Sequence, residues 1–342
     1  MYFYPIKSSL LSTHIYLSIV GGLYFTAYTL VAAPYNALIP DLASNKEERL
    51  NLSTMQSTFR LIFTGIAMVL PGILISKLGV VNGVLNTEVG IRKTVILITI
   101  LSVLGVYACI FFLKEKELTQ NRPKTESLGF MKSLSYLKDK EIILYFLGYF
   151  FFFCGFNILR GDLTYYLSAV MQKDIKYLTV ISVVLFGMAG LFFPITNKFG
   201  KKYSYKKILI VDMLLLIIGT FGLLFINKNN SAFAYVLFII CGIGLSGAAF
   251  IFPQAMLSEI SAKLSETKNV SLEGFMFGIQ GMFLKLAFLV QQVVQSTLLV
   301  VGNKNVQDGV KGATELGVKV TLVVALVLFG ISLYFYNLKK ED

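Results

Sequence analysis

The 342-residue chain is 56% hydrophobic and only 15% charged, with a mean hydropathy of +0.71 and a net charge of +12. Soluble proteins carry about 25% charged residues, and here the apolar residues come in runs of about 20, the length that crosses a ~30 Å hydrocarbon core. This excludes a soluble globular protein, and the absence of ~10-residue alternating segments excludes a transmembrane β-barrel. The fold class read from the sequence is an all-α polytopic membrane protein.

The basic excess does not mark a nucleic-acid binder, because the lysines and arginines lie between apolar runs rather than on one soluble face. Cys109, Cys154 and Cys241 all fall inside apolar runs without metal-ligand spacing and read as packing residues. Only Lys7 precedes the first span and no small-residue cleavage site follows a short apolar core, so no cleavable signal is recognised.

In chain order, nine spans are expected at about 14–40, 54–76, 94–113, 142–168, 177–197, 207–226, 233–258, 271–300 and 318–338. Alternate loops carry 18 Lys and Arg on one side, including the C-terminal tail, against 9 on the other. That bias places the C-terminus in the cytoplasm of a plasma or inner membrane. Residues 114–141 are polar with an amphipathic middle (Leu128, Phe130, Met131, Leu134, Leu137), as in a linker lying on the membrane surface. Three spans precede it and six follow. The expected domains are thus a three-span remnant of an N-terminal bundle at 1–113, the linker at 114–141, and a C-terminal six-helix bundle at 142–342. Transporters pair three-span units into six-span halves, so a three-plus-six chain reads as one whose first unit is absent.

Charges within the spans are few. Asp41, Lys46, Glu47, Glu48 and Arg49 occupy a turn that water can solvate, whereas Arg60 follows inside an apolar run reaching about Ile75. An intramembrane arginine costs about 2.5–3.5 kcal/mol and marks a functional site with a partner, snorkelling being the alternative. Lys285 lies near the middle of the eighth span, about 20 Å from either end, where snorkelling is hard. Arg160 and Asp162, in NILRGDLTYY, are a possible coupling pair. Residues two apart do not face each other on a regular helix, but Gly161 could permit local distortion; mutual structural neutralisation is the other reading. Asp212 and Glu259 are expected at the membrane interface. In the seventh span Gly242, Gly244, Ser246, Gly247, Ala248 and Ala249 allow close helix approach, and Pro253 interrupts the backbone ladder.

Catalytic signatures are missing: no HExxH, no G-x-x-x-x-G-K, no G-x-S-x-G and no Cys/His cluster. Neither an enzyme, nor a metal site, nor a cofactor is expected.

Several of these stretches carry a resemblance. YFTAYTLVAAPYNALIPDLASNKEERLNLSTMQSTFR resembles the fourth span, following loop and fifth span of the glycoside–pentoside–hexuronide:cation symporters, the melibiose permease-like group of the major facilitator superfamily. GIGLSGAAFIFPQAMLSEI is similar to span ten, SLEGFMFGIQGMFLKLA to span eleven, and NKFGKK at 197–202 to a diluted cytoplasmic D-R-x-G-R-R turn. The resemblance implies a twelve-span plan of which this chain holds spans four to twelve. It implies symport of a small solute, a sugar or glycoside, with Na⁺ or H⁺ by alternating access. The solute, the coupling cation and membrane lipids would be the partners. It also implies that Tyr28, Asn36, Arg60, Phe250, Gln280 and Lys285 line the substrate site. Ala32 stands where the melibiose permease has an aspartate, Asn36 where it has a tryptophan, and the chain has no tryptophan at all. Animal lysophospholipid carriers share the P-Y-x-A-L and E-R patterns, so an amphiphilic substrate, or a truncated fragment that does not transport, are the alternatives.

Overall fold

A computed structural model describes residues 10–43, 45–81, 84–112, 126–127, 133, 135–174, 177–268, 270–302 and 312–339. The chain is helical almost throughout. Its longer elements are α1 (Leu10–Ala37), then the single turn α2 (Ile39–Leu42), α3 (Lys46–Leu78) and α4 (Thr87–Phe112). After them come α5 (Lys140–Tyr165), α6 (Tyr177–Lys202), α7 (Tyr205–Leu223), α8 (Phe233–Leu245), α9 (Phe252–Lys268), α10 (Glu273–Leu298) and α11 (Glu315–Leu338). Extended structure among the described residues is confined to two-residue pairings, Val80–Val81 with Val84–Leu85 and Glu126–Ser127 with Val270–Ser271.

Seven helical runs among the described residues are long and apolar enough to cross a membrane, α8 and α9 counting as one of them. The two other expected spans coincide with α3 and α7; α7 is only 19 residues and carries Lys206, Lys207 and Asp212. Of the expected surface linker, Leu128, Phe130, Met131 and Leu134 lie outside the described residues.

Local sequence explains the helix starts. Asp139 caps α5 by accepting from Glu141 N, Ser204 caps α7, and Thr314 caps α11 by accepting from Gly317 N. At α3 the Asn45 carboxamide accepts from Glu48 N at 2.9 Å, with Glu47 and Glu48 in the first turn where the helix dipole favours acids.

The chain forms two compact units. The first comprises Met1–Tyr35 and Thr58–Thr125 and the second Asn36–Ser57 and Glu126–Asp342. In the first unit α3 passes into α4 through the short hairpin at 80–85, and Asn86 caps the entry by accepting from Val89 N. Residues 36–57, which fall within the expected first bundle, belong with the second unit because their side chains bond to α6, α7 and α9, as described below.

In the second unit α5 is the central helix, packed against α11 and α10. Its core is aromatic: Tyr145, Tyr149, Phe152, Phe153 and Phe156 are all buried, and Phe152 meets Phe329 at 5.7 Å between ring centroids. Each such ring contributes apolar burial plus about 0.5–1.5 kcal/mol from edge-on or offset ring contacts. The small residues of the seventh span make the approach expected of them. A Cβ at Gly242 would lie 2.4 Å from Leu185 O, and one at Gly244 would lie 2.4 Å from Asp212 O. Ahead of Pro253 the helix widens into a π turn at Ser246–Ile251, where Phe252 N donates to Gly247 O. This turn absorbs the missing proline N–H and the ring's bulk. A second π turn, Tyr166–Val170, closes α5. Cys154 and Cys241 are buried and Cys109 is half-buried, with no disulfide.

Candidate functional site

Tyr28 and Arg60 lie in the first unit, on exposed faces of α1 and α3. Asn36, Phe250, Gln280, Lys285, Arg160 and Asp162 lie in the second. Asn36 accepts from Gln56 Nε2 at 2.8 Å, and the next residue, Ser57, donates to the Phe250 carbonyl at 2.7 Å. Phe250 sits on the π turn, half-buried, with its ring against Phe156 and Phe193. The Phe250 carbonyl thus accepts a hydroxyl from α3.

Gln280 is 3% exposed on α10, and its amide donates to Tyr145 Oη at 2.7 Å and to Pro253 O at 3.3 Å. Tyr145 Oη itself donates to Pro253 O at 2.7 Å. The carbonyl that follows the π turn is thus held by two donors, and α5, α9 and α10 are tied at one point. Gln280, expected to line a substrate site, is bonded at this point beneath Phe250.

Lys285 is half-buried on α10, and one turn further Phe288 receives the Arg160 guanidinium over its ring at 5.6 Å. Two turns beyond, Gln295 Nε2 donates to Asp162 Oδ1 at 2.8 Å, and Gln291 Nε2 donates to Gln295 Oε1 at 2.8 Å. Phe288, Gln291 and Gln295 form a stripe on α10 that meets Arg160 and Asp162 of α5, whereas Lys285 lies about 160° round the helix from Phe283, which packs on Phe146 and Phe150 of α5. Arg160 and Asp162 meet this stripe at different partners rather than each other. Gly161 leaves α5 regular, and its role is space. A Cβ there would lie 2.3 Å from Gln295 Nε2 and 2.6 Å from Gln291 Nε2.

A second polar cluster fastens residues 45–57 to α6, α7 and α9. Lys46 Nζ pairs with Glu259 Oε1 at 3.0 Å and lies over the Tyr205 ring at 4.5 Å, while Tyr205 Oη donates to Lys46 O. Lys201 pairs with Glu47 at 2.8 Å. Asn197 Nδ2 donates to Thr54 Oγ1 at 2.7 Å and reaches Asn51 and Leu50 O. Burial, reinforced by Glu259 and Glu47, holds the Tyr205 phenol above its ordinary pKa, so it remains a donor. Beside this cluster is an open cavity of about 330 Å³, lined by Lys46, Tyr205, Glu259, Lys263 and Lys339 among others.

Two expectations change here. The NKFGKK stretch is not a turn, because α6 continues through Lys202 and Asn197 and Lys201 project one helical turn apart. Asp212, expected at the interface, is 5% exposed inside the bundle, where a Cβ on Gly247 would come within 2.0 Å of its Oδ2. The sequence reading also missed Tyr145 and the Gln291–Gln295 relay. The run QQVVQ at 291–295, polar side chains inside an apolar span, carries the signal for the relay.

The sequence profile of the MFS/sugar transport protein family matches residues 1–340. The chain belongs to that family, and is a multi-pass membrane protein of the secondary-transporter class. A search of curated proteins gives no match.

Proposed function

We propose that the chain is a secondary active carrier of a small organic solute, a sugar or glycoside, moved by cation symport through alternating access. The carrying observation is the α10 stripe of Phe288, Gln291 and Gln295 meeting Arg160 and Asp162. Polar groups inside a membrane bundle mark solute and ion paths. Lys285 is the coupling lysine, and Phe250, Asn36 and Gln280 are the solute-facing groups of the second unit. Amide and guanidinium donors suit sugar hydroxyls, and the Phe250 ring offers an apolar face for a pyranose.

The cluster around Lys46 and Glu259 is the gate of this reading. Its pairs are partly exposed, 45% and 23% for Lys46 and Glu259. Such pairs are worth about 0–1 kcal/mol each and exchange readily with water. The turn at 43–53 and the C-terminus face the cytoplasm of a plasma or inner membrane, following the basic bias of the loops.

Counterflow in proteoliposomes tests the substrate class. Vesicles holding the full chain and preloaded with unlabelled glycoside take up labelled glycoside transiently, and labelled lysophospholipid does not enter. Uptake of lysophospholipid alone would replace the sugar with an amphiphile as substrate.

A further inference from the structure

We propose that the cavity between the starts of α3, α5 and α7 and the ends of α9 and α11 binds a phosphate group, carried by a soluble metabolite or a lipid, and that the bound phosphate holds the gate shut. The effect on transport rests on the carrier reading; the binding does not. The cavity measures about 330 Å³, at the small end of pockets that take low-molecular-weight ligands. Among the described residues its walls carry four lysines. Lys46 comes from α3, Lys206 from α7 and Lys263 from α9, and Lys339 closes α11.

Three acids share these walls, and two of them are committed. Glu259 pairs with Lys46 at 3.0 Å, and Asp139 accepts from Glu141 N at 2.9 Å as the cap of α5. Lys206 is different. Its ammonium donates to two neutral oxygens, Asn337 O at 2.8 Å and Lys339 O, and no acid pairs with it among the described residues. It also stands in the first turn of α7 beside Lys207, with no acid in that turn. A helix start carries a positive partial charge and favours anions, so two lysines there oppose the dipole. The basic bias of cytoplasmic loops accounts for lysines at this level of the membrane. It does not account for four of them around one concavity at the positive end of a helix. A phosphate removes the conflict, because its charge of about −1.5 to −2 answers the ammonium groups and the helix start together.

The arrangement selects phosphate over carboxylate. Lysines brought in by four elements call for acceptor oxygens pointing several ways, which a tetrahedral phosphate presents and a planar carboxylate does not. Ile142, Met256 and Leu264 supply an apolar wall for the carbon skeleton that bears it.

The link to the gate is built into one wall. Lys46 belongs to the 45–57 segment, which its pair with Glu259 and the Lys201–Glu47 pair fasten to α9 and α6. When that segment lifts away, the cavity loses a wall and a positive charge. An ammonium has three hydrogens, so Lys46 can serve Glu259 and a phosphate oxygen at once. The ligand therefore binds the fastened state more tightly than the open one, and shifts the population toward it by that difference in affinity.

The test uses the full chain in phosphatidylcholine nanodiscs, with glycerol 3-phosphate as the soluble probe. The expected result is a saturable rise in unfolding temperature that glycerol, or KCl at equal ionic strength, does not give. The double substitution Lys263→Gln with Lys339→Gln weakens the apparent affinity about tenfold or more, since two charge-assisted contacts are lost. Lys263→Gln alone, at an exposed position, weakens it less and serves if the double variant folds poorly. A second preparation carries phosphatidic acid in the nanodisc. Protection by that lipid which abolishes the response to glycerol 3-phosphate makes the lipid the source; a response that persists makes it the metabolite. No protection from either source, protection by KCl alike, or full affinity in both variants overturns the binding site. In proteoliposomes, glycerol 3-phosphate on both sides slows glycoside counterflow by the wild type and not by the double variant, whose own counterflow is unchanged. Binding without any slowing overturns the gate half of the proposal. If the wild type moves no solute at all, the carrier reading fails while the unfolding arm still decides the site.

Discussion

Lys285→Ala abolishes cation-coupled uptake, lowering it at least tenfold, while the protein unfolds at an unchanged temperature. Lys285 stands near the middle of α10, about 18–20 Å from either end by helical rise, too far for its ammonium to reach bulk water along the helix. Placing a lysine at that depth costs about 2.5–3.5 kcal/mol on insertion scales, which marks the charge as functional. What is lost is the charge one turn from the Phe288–Arg160 contact. Lys285→Arg keeps that charge and restores part of the coupling. Uptake of unchanged rate and ion dependence in Lys285→Ala would remove the residue from the mechanism, and a drop in unfolding temperature without loss of coupling would make it structural.

Gln280→Leu behaves in the opposite way. Its amide supplies hydrogens to Tyr145 Oη and Pro253 O inside a site that is 3% exposed. Removing a buried donor leaves its acceptors unsatisfied, at about 1–3 kcal/mol, which for a body of this size is about 2–4 °C of unfolding temperature per kcal/mol. Tyr145→Phe acts on the same carbonyl, and because the three groups form one network the double variant loses less than the two single losses added together. Solute affinity falls only as the π turn carrying Phe250 loosens. A Gln280→Leu protein with wild-type unfolding temperature and weakened solute binding would instead place the side chain against the solute.

These two residues show what was legible in the sequence. Both lie in SLEGFMFGIQGMFLKLA, and both stand out as polar positions in an apolar span. Periodicity fixed the helix but not the neighbours, so it could not tell a lysine on a half-buried stripe from a glutamine whose hydrogens are spent inside the core. The spans themselves were readable because a membrane demands uniform apolar runs, and the helices follow them closely. The ends were less so: NKFGKK resembles a cytoplasmic turn, yet Lys201 pairs with Glu47 and Asn197 bonds to the 50–54 segment while α6 continues through Lys202. Lys46–Glu259 and Lys201–Glu47 join residues far apart in the chain, which no local pattern encodes. The π turn at Ser246–Ile251 was half visible, since Pro253 announced an interruption but not its form.

The most direct test of the carrier reading is accumulation against a gradient. Proteoliposomes bearing the full chain are given labelled glycoside under an imposed inward proton gradient. The expected result is internal label rising several-fold above the external level, collapsing when a protonophore is added and failing with Lys285→Ala. Label that only equilibrates across the membrane, unaffected by the gradient or the protonophore, would contradict secondary active transport.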